Sequence, residues 1–358
     1  MTAPATLTPA WDADAVRQQV GAVIGEFLDR KQALAADAEI AHLIALFRRF
    51  VTGGKKLRPL LCAVGWRAAG GQGTPSALLR VASGLEVFHS FCLIHDDVMD
   101  RSALRRGQPT VHRSLAARHR ALGPDDAHWL GTCGAVLLGD LAHVWSDELL
   151  QTAGLTIGQL HRVTALVTVM RDEVLYGQYL DLQSSARPDD DLATALRVIL
   201  FKTAKYTIER PLHVGAALAG APPAVLEACT AYALPLGQAF QLRDDLLGAL
   251  GSPEQTGKSA LDDLREGKQT VLLILARHRA DPQQADVLGE LVGNPALDEG
   301  GAALVRRILR ETGADRAVED MIRERYARAL HALEHAPFPA ETLPVLRKLA
   351  TDAAWRAL

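Results

Sequence analysis

The sequence has little of several features that would each point to a particular class of protein. Its 358 residues include only four cysteines, which are far apart and have no paired spacing of the metal-binding or disulfide kind: Cys62, Cys92, Cys133 and Cys229. We therefore expect reduced thiols, as in cytoplasm. Lysine and arginine number 39 against 42 aspartate and glutamate, and the net charge of -3 offers no bulk attraction to nucleic acid or to an acidic membrane.

Long hydrophobic runs are also missing. There is no run of about 18 uninterrupted apolar residues, the length that a membrane span needs. The first residues, MTAPATLTPAWDAD, lack the basic start and apolar core of a secretion signal. We expect a cytoplasmic protein without stable membrane insertion. Apolar residues still make up 48% of the chain, which is enough for a sizeable core.

The apolar residues that are present recur at a spacing close to that of a helix. Alternating valine or isoleucine stretches with hairpin turns are not found. Breaks rich in glycine and proline, such as AGGQGTP (69–75) and AGAPP (219–223), divide the chain into about a dozen helices. Since no shift in composition marks a border, the sequence predicts an all-α protein whose residues 1–358 form a single domain.

Two aspartate pairs stand inside apolar segments, LIHDDVMD and FQLRDDLLG. On a helix, Asp96 and Asp100 lie about 40° apart on one face, with His89 within about 20° of Asp96. The second pair is Asp244 and Asp245. One pair alone is often the solvated end of a helix. Because buried carboxylates are costly without a partner, two pairs favour a cation site.

Magnesium is the cation that this chemistry favours. It takes one or two protein carboxylates, while substrate phosphates and waters complete its octahedron. A phosphorylated ligand between two acidic helices is therefore predicted. Local basic side chains, several of them beside glycines, supply further positive charge: Lys55, Lys56, Arg58, Arg105, Arg106, Lys202, Lys205, Lys258 and Lys268.

Taken in order, these segments resemble the motifs of the trans-isoprenyl diphosphate synthases, or polyprenyl synthetases, which join isopentenyl diphosphate to an allylic diphosphate. The resemblance spans most of the chain and rests on six segments: GGKKLRP, DDVMD followed by RRG, YGQYLDL, FKTAKYT, FQLRDDLLG and TGKSALDDLREGK. It implies a large helix bundle of the isoprenoid synthase type around a central apolar cavity. It also implies a homodimer and three magnesium ions in each active site.

The same resemblance assigns roles to individual residues. Isopentenyl diphosphate would be bound by Lys55, Arg58 and His89, with Arg106 assisting. The allylic side would be contacted by Arg105, Lys202, Thr203, Gln241, Lys258 and Lys268. Magnesium would be held by Asp96, Asp100 and Asp244, with Asp97 and Asp245 as supporting acids. The residues expected to act in catalysis are Asp96, Asp100, Asp244, Lys202 and Arg105.

Some assignments stay open between alternatives. Either Asp262 or Asp263 would be the outer-shell acid of the last motif. Gln178 and Asp181, three apart in GQYLD, would line the cavity or have a structural role.

Product length would be set by a floor one turn before Asp96. Helix geometry puts Cys92 about 40° from Asp96 and Phe91 about 140° away, which favours Cys92 as the wall. The family pattern gives weight to Phe91, and an aromatic residue there resembles geranylgeranyl diphosphate synthases. Farnesyl diphosphate is the alternative product, since Phe88 would cap a shorter cavity. Ordinary core packing is the other interpretation of both aromatic residues.

Gly248 departs from the pattern, because many members of the family have a third aspartate there. A non-catalytic subunit of a heteromeric synthase is therefore one alternative, against which the complete basic and acidic motifs count. A class I terpene synthase is another, but it needs no second diphosphate site, and GGKKLRP and RRG argue for one. The sequence thus favours an active synthase.

Overall fold

The structure of the protein is a computed structural model that describes residues 11–186, 190–251 and 261–355, apart from the side chains of residues 262 and 263. The described helices, in chain order, are α1 (Ala13–Ala33), α2 (Ala38–Thr52), α3 (Leu57–Ala68), α4 (Ser76–Met99), α5 (Val111–Arg118), α6 (Pro124–Gln151), α7 (Ile157–Ala186), α8 (Leu192–Val198), α9 (Arg210–Leu218), α10 (Pro223–Leu250), α11 (Asp262–Glu266), α12 (Val271–Arg279), α13 (Pro282–Leu291), α14 (Glu299–Glu311), α15 (Ala314–Glu334) and α16 (Leu343–Ala354). A short 3-10 helix spans Arg120–Leu122, and a π-helix spans Ile199–Glu209 between α8 and α9. The predicted all-α class is confirmed.

The ends of several helices are marked by capping side chains or by proline. The side chains of Asp12 and Asp37 accept hydrogen bonds from the first free N–H groups of α1 and α2. Helix α10 begins at Pro223, where a missing N–H costs nothing. Helix α4 ends at Met99, so Asp100 is its C-terminal cap.

Helix α4 crosses the middle of the fold and packs against α6, α3 and α1. Its residues from Val81 to Phe88 are all buried, including the polar Ser83. By length and composition α4 is the one described helix that would be able to cross a membrane, yet 67% of its most apolar window is buried inside the fold, as in a core helix. The acidic motif therefore stands at the end of a rigid, buried element.

The π-helix lies between α7 and α10, and glycines allow it to approach both. A Cβ on Gly177 of α7 would lie 2.5 Å from the backbone N of Lys202, and one on Gly237 of α10 would lie 2.3 Å from Cα of Ala204. Both distances are far below van der Waals contact. The two glycines therefore set how deep Lys202 sits between α7 and α10.

One two-stranded hairpin interrupts the helices, which the sequence pattern did not predict. Strands β1 (Leu104–Arg105) and β2 (Gln108–Pro109) pair antiparallel around Arg106 and Gly107. Both turn residues have positive φ, 52° and 72°, as a tight type I′ turn requires. Strands of two residues are too short to show alternation, so only the RG pair signalled the turn.

Candidate active site

A cavity of about 910 Å³ opens beside α4. Helices α1, α3, α7 and α10, the π-helix, the end of α16, the loop before α3 and the hairpin turn also contribute to its lining. One part of the lining is charged, and it includes Lys55, Lys56, Arg58, Glu86, Asp96, Arg106, Lys202 and Asp244. The remainder is largely apolar and includes Leu60, Leu61, Phe91, Leu93, Val174, Leu175, Leu236 and Phe240. Such a space suits a ligand with an anionic head and a hydrocarbon tail.

Asp96 stands at the acidic side and is paired with a lysine from the π-helix. Lys202 Nζ donates to Asp96 Oδ1 at 3.2 Å and to Asp181 Oδ2 at 2.6 Å. Burial raises the pKa of Asp96, but Lys202, Lys268 and Arg105 outweigh it and lower that pKa to about 2. The carboxylate is thus ionised at neutral pH. Asp181 contacts Lys202, while Gln178 lines the cavity, and both sit at the site.

Asp100 is paired with a lysine that follows α11. Lys268 Nζ lies 2.9 Å from Asp100 Oδ2 and 3.0 Å from Glu266 Oε2. Glu266 also accepts a hydrogen bond from the Ser102 hydroxyl, at 3.2 Å. Burial and the neighbouring charge of Asp96 raise the pKa of Asp100, and Lys268 counters them. These contacts tie the end of α4 to the loop after α11.

Arg105 lies behind the aspartates rather than along the cavity. Its Nε donates to Asp97 Oδ1 at 2.8 Å, and its Nη2 lies 3.5 Å from Asp96 Oδ2. Asp97 is completely buried. Burial disfavours the charge on Arg105, but the Asp97 carboxylate and the other two acids raise its pKa. This pair holds the acidic turn in place, and contact of Arg105 with a diphosphate stays a prediction.

The second aspartate motif reaches the same cavity from α10. Asp244 lines the cavity. Gln241 accepts a hydrogen bond from the Thr203 hydroxyl at 2.6 Å and donates one to Asp245 Oδ1 at 2.8 Å. Thr203 and Gln241 also line the cavity, so the π-helix and α10 are joined at the site.

The basic side is built on α3 and the π-helix. Arg58 donates to the Thr207 hydroxyl at 2.5 Å, and its Cζ lies 4.3 Å from the centre of the Tyr206 ring. The Tyr206 hydroxyl lies 3.3 Å from Nδ1 of His89. Burial, together with Arg58, Arg105 and Arg106, holds the pKa of His89 well below its usual value, so its imidazole is neutral. His89 is thus a polar, uncharged contact in a cationic wall.

Arg106 reaches the same wall from the hairpin. A Cβ on Gly54 would lie 2.5 Å from Arg106 Nη2, and one on Gly53 would lie 2.7 Å from its Nη1. The two glycines therefore make room for the guanidinium. In the structure, the Arg106 side chain fills the space beside them.

The floor of the cavity has two layers of side chains. Phe91 and Cys92 line the cavity, as the sequence predicted for the floor. Phe88 does not line it; its ring lies behind Phe91, with centroids 5.2 Å apart. His143 of α6 packs on both rings, and Arg171 of α7 lies over the Phe88 ring at 5.1 Å. A tail that passes Phe91 would meet these polar groups.

Among the residues that the structure places at the cavity and that sequence reasoning missed are Glu86, Tyr206 and Arg17. Glu86 had a signal, because it is an acid inside an apolar helix, one turn before His89. Tyr206 and Arg17 had none, since only packing brings them here. Lys258 lies outside the described residues, as do the side chains of Asp262 and Asp263, so these predictions remain as they were.

Aspartates from two helices, a basic wall and an apolar floor in one helical cavity define a class of enzyme that acts on diphosphates with hydrocarbon tails. The family model described as polyprenyl synthetase matches residues 41–308, and the chain belongs to that family. It is accordingly a transferase of prenyl groups, as the resemblance implied.

Individual relatives differ in the products after which they are named. The chain is 32% identical over 288 residues to a geranylfarnesyl diphosphate synthase of Aeropyrum pernix, covering 80% of this chain and 84% of that one. It is 39% identical over 222 residues to a farnesyl diphosphate synthase of Mycobacterium bovis, covering 61% and 55%. Among solved structures, a geranylgeranyl pyrophosphate synthase of Corynebacterium glutamicum, complexed with isoprenyl diphosphate and magnesium, superposes with a TM-score of 0.93 at 39% identity, covering 97% of this chain and all of that one.

Proposed function

We propose that the protein is a magnesium-dependent geranylgeranyl diphosphate synthase, which condenses isopentenyl diphosphate with an allylic diphosphate. The observation that carries the product assignment is the floor formed by Phe91 and Cys92, with Phe88 behind it rather than in the cavity. Likeness to the Corynebacterium enzyme over 97% of the chain supports the same product.

Magnesium fits the donor set of this cavity. No group of three histidine, cysteine, aspartate or glutamate side chains in the described part of the chain is arranged to hold a metal alone. Magnesium needs no such cage, because it takes one or two carboxylates and completes its octahedron with phosphate oxygens and water. Asp96, Asp100 and Asp244 would hold it, with Asp97 and Asp245 in support. We propose three ions in the active site, and bound there they would neutralise charge that develops on the diphosphate.

The chain's own cations would share this task. Lys202 and Lys268 are held close to Asp96 and Asp100, where the allylic diphosphate would lie. A departing diphosphate gains negative charge, and fixed cations in a partly buried site stabilise it strongly. The substrate carbon left behind is an allylic cation. Apolar side chains such as Val174 and Phe240 exclude water from it.

Isopentenyl diphosphate would be gripped at the basic wall by Lys55, Arg58 and Arg106, with His89 as a neutral contact. Its double bond would then meet the allylic carbon in a fixed orientation, which replaces a bimolecular encounter. The new bond leaves a cation one isoprene unit longer, which must lose a proton. We propose that the released diphosphate accepts it, because burial and the nearby arginines lower the pKa of His89 and make it a weak base, and because Asp96 and Asp100 are paired with lysines.

Product analysis tests this proposal. Purified protein would be incubated with labelled isopentenyl diphosphate, magnesium and, in turn, dimethylallyl, geranyl or farnesyl diphosphate, and the dephosphorylated alcohols would be separated. Geranylgeraniol as the main alcohol supports the proposal. Farnesol would make farnesyl diphosphate the product, and the floor would then have to lie above Phe91, because Phe88 is behind it.

We also propose that the protein is a homodimer. Exposed apolar side chains gather on α6 and α7 and would be covered by a second copy: Trp129, Leu130, Leu137, Val144, Leu175, Tyr176 and Tyr179. Analytical ultracentrifugation of the wild type and of Leu137→Glu tests this. We expect the wild type to be a dimer and Leu137→Glu to be a monomer. A monomeric wild type would contradict the proposal.

A further inference from the structure

The basic wall of the cavity contains one carboxylate that the proposed chemistry does not use. Glu86 lies on α4, one turn before His89, and is 4% exposed. It lines the cavity. Its Oε2 accepts no hydrogen bond from any residue that the structure describes. A buried carboxylate oxygen in this condition is costly, so a compensating interaction must keep Glu86 there.

The compensation is electrostatic and comes from two elements. Burial raises the pKa of Glu86, while Arg58 and Lys56 at the start of α3 and Arg106 from the hairpin oppose that rise. Reciprocally, burial and Arg105 lower the pKa of Arg106, and Glu86 counters them. The three cations thus favour the charged form of the Glu86 carboxyl, while Glu86 and Asp97 both favour the charged form of Arg106.

Two further titratable groups stand around these cations, and both are uncharged at neutral pH. Burial and Arg58 keep His89 neutral, as described above. Burial raises the pKa of the Tyr206 hydroxyl well above its usual value. Neither group can replace the negative charge of Glu86 in this wall.

We propose that the Glu86 carboxylate is the anion beside Arg58 and Arg106 when no substrate is bound. It takes up a proton from solvent when isopentenyl diphosphate binds to these two residues. The inference rests on the proposed function for the identity of that ligand. An arriving diphosphate competes for the same cations and brings like charge beside the carboxylate. Both effects disfavour ionised Glu86, and protonation relieves them.

Because proton uptake by Glu86 is thermodynamically linked to ligand binding, the inference predicts how affinity depends on pH. If occupancy raises the pKa of Glu86 by about one unit, the affinity for isopentenyl diphosphate must weaken about tenfold from the acid to the alkaline side of its titration. Glu86→Gln imitates the protonated side chain. It should bind about tenfold more tightly than the wild type at alkaline pH, by the same relation. Loss of a merely structural contact would weaken binding instead.

The experiment is calorimetric titration of the full chain with isopentenyl diphosphate in buffers of different ionisation enthalpy. The titrations run from about pH 6 to about pH 9, because burial raises the pKa of a carboxyl group. The difference in observed heat between buffers gives the number of protons taken up. The wild type should take up more protons than Glu86→Gln, because the protonation of the ligand and of other groups is common to both. Equal uptake, or weaker binding by Glu86→Gln at every pH, would overturn the inference.

A matched control is Glu209→Gln. Glu209 is also buried and also has an Oε2 without a hydrogen bond from any described residue, but it does not line the cavity. Its substitution should leave proton uptake at the wild-type value.

If Glu86→Gln does not fold, infrared difference spectra of the wild type replace the calorimetric comparison. We expect a new protonated-carboxyl band when the ligand is added. The absence of such a band would overturn the inference. Absence of binding by the wild type would instead refute the proposed function.

Discussion

At the scale of single residues, charged side chains at the cavity and beside it are joined in pairs that cross from one element to another. Lys202 of the π-helix contacts Asp96 of α4, and Lys268 contacts Asp100. These pairs bring four side chains from distant parts of the chain to one place. The aspartates could be recognised in the sequence because they interrupt apolar helices. Their lysine partners could not be assigned by spacing, since the contacts span more than a hundred residues.

The first prediction concerns Lys202. Lys202→Gln should lower kcat/KM by about 100- to 1,000-fold, the usual cost of removing one fixed group that stabilises transition-state charge. Lys205→Gln is the matched control, because Lys205 points to Glu173 behind the π-helix, with Nζ 2.7 Å from Oε1. Steady-state kinetics and thermal unfolding should show a loss of activity for the first and mainly a loss of stability for the second. Equal kinetics in both variants would show that Lys202 does not stabilise the transition state.

The second prediction concerns the floor. Phe91→Ala opens the cavity and should lengthen the product. Phe88→Ala should leave product length unchanged and lower the free energy of unfolding by about 3–5 kcal/mol, as for other buried aromatic residues. Chromatography of the alcohols and denaturant unfolding measure the two effects. An unchanged product from Phe91→Ala would show that Phe91 is not the floor.

The third prediction is the acid dependence of stability. His112 is 3% exposed, lies 3.2 Å from the Thr110 hydroxyl, and burial lowers its pKa to about 4. In the unfolded chain a histidine has a pKa of about 6.5, so the unfolded state binds the proton first as pH falls. The stability that His112 contributes is therefore complete above that value and is lost towards about pH 4. Unfolding measured across this range should show a shallower loss for His112→Gln than for the wild type.

At the scale of secondary structure, α4 and α10 were the elements best predicted from sequence. Their apolar periodicity is long, and the prolines at their starts are visible. The π-helix was not predicted, because FKTAKYT has an ordinary helical pattern, and its wide turn depends on packing between α7 and α10. The hairpin was missed because its strands have two residues each.

The fourth prediction tests the packing of the π-helix. Gly177→Ala puts a methyl group where Lys202 N now lies 2.5 Å away, so the π-helix or α7 must shift. We expect kcat to fall together with the free energy of unfolding. Gly21→Ala in α1 is the control, because a Cβ there meets nothing within 4 Å. That variant should be more stable by about 0.5–1 kcal/mol, since alanine is the better helix residue, and should have unchanged kinetics.

At the scale of the whole molecule, composition and periodicity were enough to predict an all-α fold with a large core. The order of six short motifs was enough to indicate the family and many of the charged and polar residues of the cavity. The sequence could not show which side chains line the cavity and which lie behind its surface. Asp97 is buried and Arg105 is partly buried behind the site, Phe88 is behind the floor, and Glu86 lines the cavity, although all four come from one continuous segment. Those differences come from the packing of α4 against its neighbours.

The most direct test of the whole account is a single-turnover reaction. Purified protein would be mixed with farnesyl diphosphate and labelled isopentenyl diphosphate, with magnesium or with a chelator, alongside Asp96→Asn as an inactive control. We expect labelled geranylgeranyl diphosphate only from the wild type with magnesium. If the wild type with magnesium leaves the label in isopentenyl diphosphate, whichever allylic primer is supplied, the cavity is not a prenyl-transfer site and the account is wrong.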